Sequence, residues 1–280
     1  MISQDVLRRL RFVQATGRED LSRFPDFLII GPQRTGTTWL HAHLRFHPQV
    51  FLSEPKELYF FSSLESRDAK RFIGDQLSRY LRYFRDPLWR RVAKIALCLR
   101  RTGEWYHPII RGEATASYAA ISPAVIDDIV ALKPDIKALL MIRHPIERAW
   151  SHAKKDLVRN RHRAFEEVGA DEFRAFFTDP YQRRCAQYVQ LAEAWSARLQ
   201  AGNLFVGVFD EIATRPQELL LDVMRFLGVR ADLKYVDPDA DNPVNPTAKT
   251  RIPPEHQAFL EGLLADDLRA ARERFGVDWR

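Results

Sequence analysis

Residues Gly31-Pro32-Gln33-Arg34-Thr35-Gly36-Thr37-Thr38 combine two glycines, one cation and three hydroxyls in an order suited to holding an anion. They follow a continuous apolar run, Phe27-Leu28-Ile29-Ile30, that reads as a buried parallel strand, and they lead into helical spacing through Trp39, Leu40 and Leu44. A glycine-rich turn between a strand and a helix points backbone N–H groups inward, and the first helical turn adds its own free N–H groups. Arg34 supplies a planar positive fork, and Thr35, Thr37 and Thr38 supply short hydroxyl donors. The spacing of Gly31 and Gly36 equals that of an ATPase phosphate loop, but Thr37 stands where such a loop carries its lysine. That exchange argues against Mg-ATP chemistry, in which the lysine reaches the β and γ phosphates.

A second constellation has the same logic. Arg143 follows the apolar run Leu139-Leu140-Met141-Ile142, at the carboxyl end where ligands of parallel sheets bind, and Ser151 lies two turns into the helix opened by Pro145. Together they suit a second phosphate, so the two sites fit a nucleotide with anions at both its 5′ and 3′ positions. The plainer alternative pairs Arg143 with a surface carboxylate and leaves Ser151 merely tolerated. The histidines show no HExxH spacing and the two cysteines, Cys98 and Cys185, no CxxC, so neither a zinc site nor a disulfide framework is expected.

The elements that must position these groups alternate along the chain. Clear strands are expected at 27–30, 136–142 and 204–209, with short apolar pieces at 50–52 and 58–61. Helices are expected at 37–46, 68–83, 122–133, 145–157, 181–199, 214–227 and 254–275. Residues 89–107 are the least legible, and 230–253, rich in Pro, Asp and Asn, read as a long surface loop. The alternation predicts an α/β three-layer sandwich with a central parallel sheet and a P-loop-like phosphate-binding loop. A chain of 280 residues with 46% hydrophobic types suits one domain, with its core over 25–279 and a helical extension over 1–24. The basic N-terminus has no following apolar run, so it reads as an amphipathic helix docked on the domain or, alternatively, on a membrane surface. No stretch approaches a transmembrane span.

With these residues in view, the chain resembles the sulfotransferases that use 3′-phosphoadenosine 5′-phosphosulfate (PAPS). It is most similar to their carbohydrate branch, the heparan sulfate N- and 3-O-sulfotransferases, and to bacterial relatives. The resemblance implies that Gly31 to Thr38 is the loop for the donor's 5′-phosphosulfate, with Arg34 in place of the usual lysine, and that Arg143 and Ser151 hold the 3′-phosphate. It implies three further roles. Lys56-Glu57-Leu58-Tyr59-Phe60-Phe61 resembles the segment whose glutamate is the base, which makes Glu57 the base and Lys56 its assistant at the transferred group. Glu113 and Tyr118, in Gly112-Glu113-Ala114-Thr115-Ala116-Ser117-Tyr118, fall where the acceptor binds, although Ala114 replaces a lysine and Glu113 could equally hold Arg111. Lys249-Thr250-Arg251 resembles a basic lid over the donor.

The function implied is transfer of a sulfuryl group from PAPS to a hydroxyl or amine, of a carbohydrate or glycolipid, with 3′-phosphoadenosine 5′-phosphate (PAP) as the product and no metal required. His41 and His43 are weaker base candidates. A P-loop nucleotide kinase or ATPase, and a non-enzymatic module for anionic polymers, are the alternatives. Nucleic acid is not expected as a partner, because the basic residues form no aromatic-interleaved tract. Arginines of 62–108 and 155–180, among them Arg67, Arg71, Arg79, Arg90, Arg159 and Arg163, suit an acidic acceptor or simply neutralise a packed surface. The N-terminal sequence favours a cytoplasmic, bacterial enzyme over a Golgi-resident one.

Overall fold

Five short strands pair side by side, all parallel: β1 (Phe27–Gly31), β2 (Val50–Leu52), β3 (Ile110–Ala114), β4 (Lys137–Ile142) and β5 (Leu204–Val208), in the order β2-β3-β1-β4-β5. The structure, a computed structural model, describes residues 2–65, 74–237, 240 and 251–279. Every residue of β1 is buried, and its alternate side chains serve two different cores. Leu28 and Ile30 pack on one face with Val125, Ile126, Ile129 and Trp195, while Phe27 and Ile29 pack on the other with Trp39, Leu40, Leu219 and Val223. Helices Pro123–Leu132 and Tyr188–Ser196 therefore cover one face, and helices Thr37–Leu44 and Pro216–Leu227 the other. This is the expected three-layer sandwich.

The order of the strands creates the place where the loops meet. From β1 the chain moves toward β2 and returns to β3, then crosses β1 to β4 and continues outward to β5. Connections after β1 and β4 thus leave in opposite directions, which opens a crevice at the carboxyl ends of these two neighbours. Arg34 lies three residues beyond β1, and Arg143 one residue beyond β4.

Strand β3 is more central than its sequence suggests. Arg111 and Glu113 break its apolar pattern, yet it pairs with both β1 and β2. A side chain at Gly112 would place its Cβ 2.1 Å from the Phe27 ring, so the close approach of these two strands needs a glycine there.

Other boundaries differ for local reasons. The expected helix at 181–199 divides into Pro180–Arg184 and Tyr188–Ser196, because Gln187 leaves helical geometry at ψ 61°. Residues 58–61 are not extended: helix Phe60–Ser63 begins after Tyr59, whose φ is +58°. The expected helix at 68–83 lies partly outside the described residues; its described part is helix Leu77–Tyr80 followed by the 3₁₀ turn Leu81–Phe84. Helix Leu88–Thr102 occupies the region that was least legible, and helix Ala170–Thr178 a stretch for which the sequence marks no element. The N-terminal helix Gln4–Arg9 rests on the domain, with Val6, Leu7 and Leu10 against the core. The buried Asp128 carboxylate accepts the backbone N–H groups of Arg11, Phe12 and Val13 at 2.8–2.9 Å, tying this extension down. Among the described residues no helix is long and apolar enough to cross a membrane.

Candidate functional site

The phosphate-type loop is held open by its own geometry. Gly31 ends β1 at φ +94°, and a Cβ there would come within 2.2 Å of the Ala116 carbonyl oxygen, so only glycine fits. Arg34 also lies in the left-handed region, at φ +72°. Gly36 precedes helix Thr37–Leu44 with no side-chain cap, which leaves the first-turn N–H groups facing the loop. The Thr35 hydroxyl donates to the Pro32 carbonyl at 2.6 Å and the side chain is fully buried. Thr35 therefore closes the loop internally, which corrects its expected role as a donor to the ligand. Gln33 is fixed from outside by the Tyr181 hydroxyl at 2.6 Å. Trp39 fills the core and donates from Nε1 to the Ala240 carbonyl at 3.0 Å.

The two expected anion sites adjoin. Arg34 Nε donates to Ser151 Oγ at 2.9 Å, and Arg143 Nη1 donates to the Arg34 carbonyl at 3.3 Å. Arg143 also pairs with Glu147 at 2.9 Å and lies over the Phe209 ring at 4.3 Å, while the Tyr188 hydroxyl donates to its carbonyl at 2.8 Å. So the carboxylate partner foreseen for Arg143 is present, and it leaves the guanidinium at the crevice.

Cations crowd this crevice. Burial, then Arg143 and Arg159, push the Arg34 guanidinium below its ordinary pKa; Lys154 is lowered by burial and by Arg34 and Arg143. Like charges held together in a partly dry crevice raise one another's energy, and a polyanion relieves that cost.

Glu57 reaches the crevice from β2's carboxyl side. Its backbone N–H donates to the Ala114 carbonyl at 2.9 Å, and its φ is +67°. Lys56 Nζ donates to Oε1 at 2.7 Å, and the Tyr59 hydroxyl donates to Oε2. Burial raises the Glu57 pKa, but Lys56, the Tyr59 hydroxyl and Lys155 together hold it below the ordinary value of 4.5. Glu57 is thus a carboxylate at neutral pH. Glu57, Arg34 and Lys56 all act on the charge of Lys155, which places this lysine near both Glu57 and the loop. Tyr59 and Lys155 were missed from sequence; Lys155 follows Ser151 by one helical turn, and that spacing was the available signal.

Glu113 and Tyr118 were expected to meet the acceptor. Both are fully buried, so neither offers it a surface, and Glu113 does not hold Arg111. Glu113 accepts from Thr115 Oγ1 at 2.6 Å and from the Tyr80 hydroxyl. Thr115 Oγ1 in turn accepts the Leu58 N–H at 3.0 Å, and the Tyr118 hydroxyl accepts the Phe61 N–H at 3.3 Å. These groups fix the backbone on which Glu57 sits. Burial, against the opposing hydrogen bonds from Thr115, Tyr80 and Tyr118, raises the Glu113 carboxyl to about 7.

A raised carboxyl pKa gives stability that is complete below the unfolded value near 4.5 and is lost as pH rises to about 7. Glu113→Gln removes that dependence. The cost of this substitution, followed by denaturant unfolding, should therefore be larger in mild acid than above neutrality, by about 3 kcal/mol. An equal cost at both pH values would show that folding leaves the Glu113 carboxyl at its unfolded pKa.

His41 and His43 lie buried in helix Thr37–Leu44, and burial followed by Lys56 and Arg45 drops His41 to about 4. Arg251 is exposed just before helix Pro254–Phe275, whereas Lys249 lies outside the described residues, as do Arg67 and Arg71. Of the arginines expected to meet an acidic acceptor, Arg90 pairs with Glu54 at 3.3 Å and Arg163 with Glu172 at 2.8 Å, while Arg159 lies near enough to Arg34 to lower its pKa. Among the described residues no group of three or more His, Cys, Asp or Glu is placed to hold a metal ion.

Comparison with known proteins agrees with the fold. The model of the Sulfotransferase family matches residues 25–232. The bifunctional heparan sulfate N-deacetylase/N-sulfotransferase 2 of Homo sapiens is 24% identical over 226 residues, covering 76% of this chain and 23% of that protein. The corresponding enzyme 1 of Mus musculus is 26% identical over 228 residues, with the same coverage. The chain thus spans under a quarter of the length of these curated relatives. A sulfotransferase from Alicyclobacillus acidocaldarius shares the fold with a TM-score of 0.64 at 23% identity, covering 91% of this chain and 97% of that one. The mouse sulfotransferase SULT7A1, solved with PAP, does so with a TM-score of 0.53 at 17% identity, covering 96% and 91%.

Proposed function

The chain belongs to the sulfotransferase family, and we propose that it transfers the sulfuryl group of PAPS to a hydroxyl or amine of a carbohydrate or glycolipid. The observation that carries this reading is the meeting of Arg34, Arg143 and Ser151 at the crevice between β1 and β4. The fold likeness to a sulfotransferase solved with PAP, and the sequence likeness to heparan sulfate N-sulfotransferases, support the donor and the acceptor class respectively.

When bound, PAPS supplies the sulfuryl group and departs as PAP. Loop N–H groups with Thr37 and Thr38 hold its 5′ end, and Arg143 with Ser151 holds the 3′-phosphate. Lys249 and Arg251 cover the donor and exclude water. Arg34 neutralises the charge that gathers on the departing phosphate, where fixed donors contribute most. Glu57 takes the acceptor's proton. Each of its oxygens accepts one bond, from Lys56 or Tyr59, and keeps a second lone pair for this work. Lys56, drawn to the donor's sulfonate, releases Glu57 from its cation and so strengthens the base. Glu113, Thr115 and Tyr118 keep Glu57 in place without touching the acceptor.

The direct test supplies PAPS with radiolabelled sulfur and a panel of glycans, amino sugars and glycolipids. Label should pass to one acceptor class, and none passing to any acceptor while Mg-ATP serves as a donor would overturn the reading. Arg143→Ala should weaken PAP binding about 10- to 100-fold in calorimetry, the worth of one charge-assisted contact. Unchanged affinity would remove Arg143 from the donor site.

A further inference from the structure

Helix Leu88–Thr102 is turned inside out. Three of its five cations face the protein: Arg90 donates to the Leu52 carbonyl at 2.8 Å over the Phe51 ring, Lys94 to the Arg45 carbonyl at 2.7 Å, and Arg101 pairs with Asp237 at 2.7 Å. Its apolar stripe faces outward. Leu88 is 80% exposed, Trp89 74%, Val92 63% and Leu99 37%, with Trp105 beyond the helix at 64%. At 3.6 residues per turn, Leu88, Val92, Ala96 and Leu99 share one stripe with Trp89 at its edge, and Arg91 and Arg100 flank it on either side. Nothing in the sulfuryl-transfer chemistry uses this face.

We propose that the outward face of helix Leu88–Thr102 docks on an anionic lipid surface, lying in the plane of the interface with Trp89 and Trp105 at headgroup depth. Charge complementarity selects that occupant. The helix carries no carboxylate, and Arg82 and Arg85 just before it are exposed and cationic too. A second copy laid against the stripe would set these arginine rims against one another, with no acid on either helix to offset them. The face is a single convex ridge with bulky aliphatic and indole side chains, a shape that a fluid apolar phase accommodates and that needs no matching groove. Through Arg90 the helix is tied to Leu52 and Glu54, close in sequence to Lys56 and Glu57.

The test floats the full chain with vesicles of phosphatidylcholine alone or mixed with phosphatidylglycerol. The protein should rise with the anionic vesicles and remain behind with the neutral ones. The triple variant Leu88→Ser/Trp89→Ser/Val92→Ser should lose at least about tenfold in partitioning, and Arg91→Glu/Arg100→Glu should lose the preference for anionic lipid. PAP affinity should stay unchanged in both variants, which separates this inference from the catalytic reading. No flotation of the wild-type chain, equal flotation of the triple variant, or a wild-type dimer that the triple variant converts to a monomer would each overturn it.

Discussion

Glu57→Gln should lower kcat about 10²- to 10⁴-fold, the range expected when a general base is removed, while PAP affinity changes little. The carboxylate lies at the end of a chain of supports: the Ala114 carbonyl holds its backbone N–H, and Thr115 holds the N–H of the next residue. Glutamine preserves the shape: its Oε1 can still accept from Lys56, and its Nε2 can donate to the Tyr59 hydroxyl, which turns to accept, so the fold should remain intact. It removes only the capacity to take a proton. Steady-state rates with calorimetry on the same preparation check this, and parallel loss of turnover and PAP binding would reassign Glu57 to structure. If Lys56 is the group that tunes the base, Lys56→Met should lower kcat as well, but should leave the proton acceptor present and the residual rate above that of Glu57→Gln.

Arg34→Ala should lower kcat by about 10²- to 10³-fold, the effect of losing one donor aimed at developing charge. The backbone complicates a simple reading, because φ is +72° at this position and a Cβ there is strained. Alanine keeps that strain, whereas Arg34→Gly relieves it and removes the guanidinium equally. The two variants should therefore share the catalytic loss and differ in melting temperature, with the glycine variant at least as stable. Arg34→Lys restores a charge without the fork that reaches Ser151, and should recover part of the rate. Full activity of the glycine variant would show that Arg34 acts only through Ser151 and the loop's conformation.

Much of the framework was legible because continuous apolar runs mark β1 and β4, and because the residues that follow them are unusual. The adjacency of Arg34 and Arg143 was not legible. It arises from β1 and β4 being neighbours in the sheet, a long-range pairing that no local pattern encodes. Strand β3 escaped detection since Arg111 and Glu113 interrupt it. Its buried carboxyl is tolerated only because Tyr80, 33 residues earlier, and Thr115 satisfy it. The same burial removed Glu113 and Tyr118 from the acceptor surface on which their motif had placed them. Helix Leu88–Thr102 was unreadable for the opposite reason: its periodicity is strong, but the usual inference that an apolar stripe points inward fails for it. Tyr59 stands inside the Lys56–Phe61 motif, where neither spacing nor apolar pattern marks its hydroxyl as a partner of Glu57.

One crevice, lined by Arg34, Arg143 and Ser151, is proposed to bind an adenosine nucleotide bearing anions at both its 5′ and 3′ positions. Titration of the chain with PAP in a calorimeter, beside Mg-ATP under identical low-salt conditions, tests it most directly. A saturable single-site isotherm is expected for PAP, far tighter than for Mg-ATP and weakened by added salt. Heat from Mg-ATP with none from PAP would contradict it.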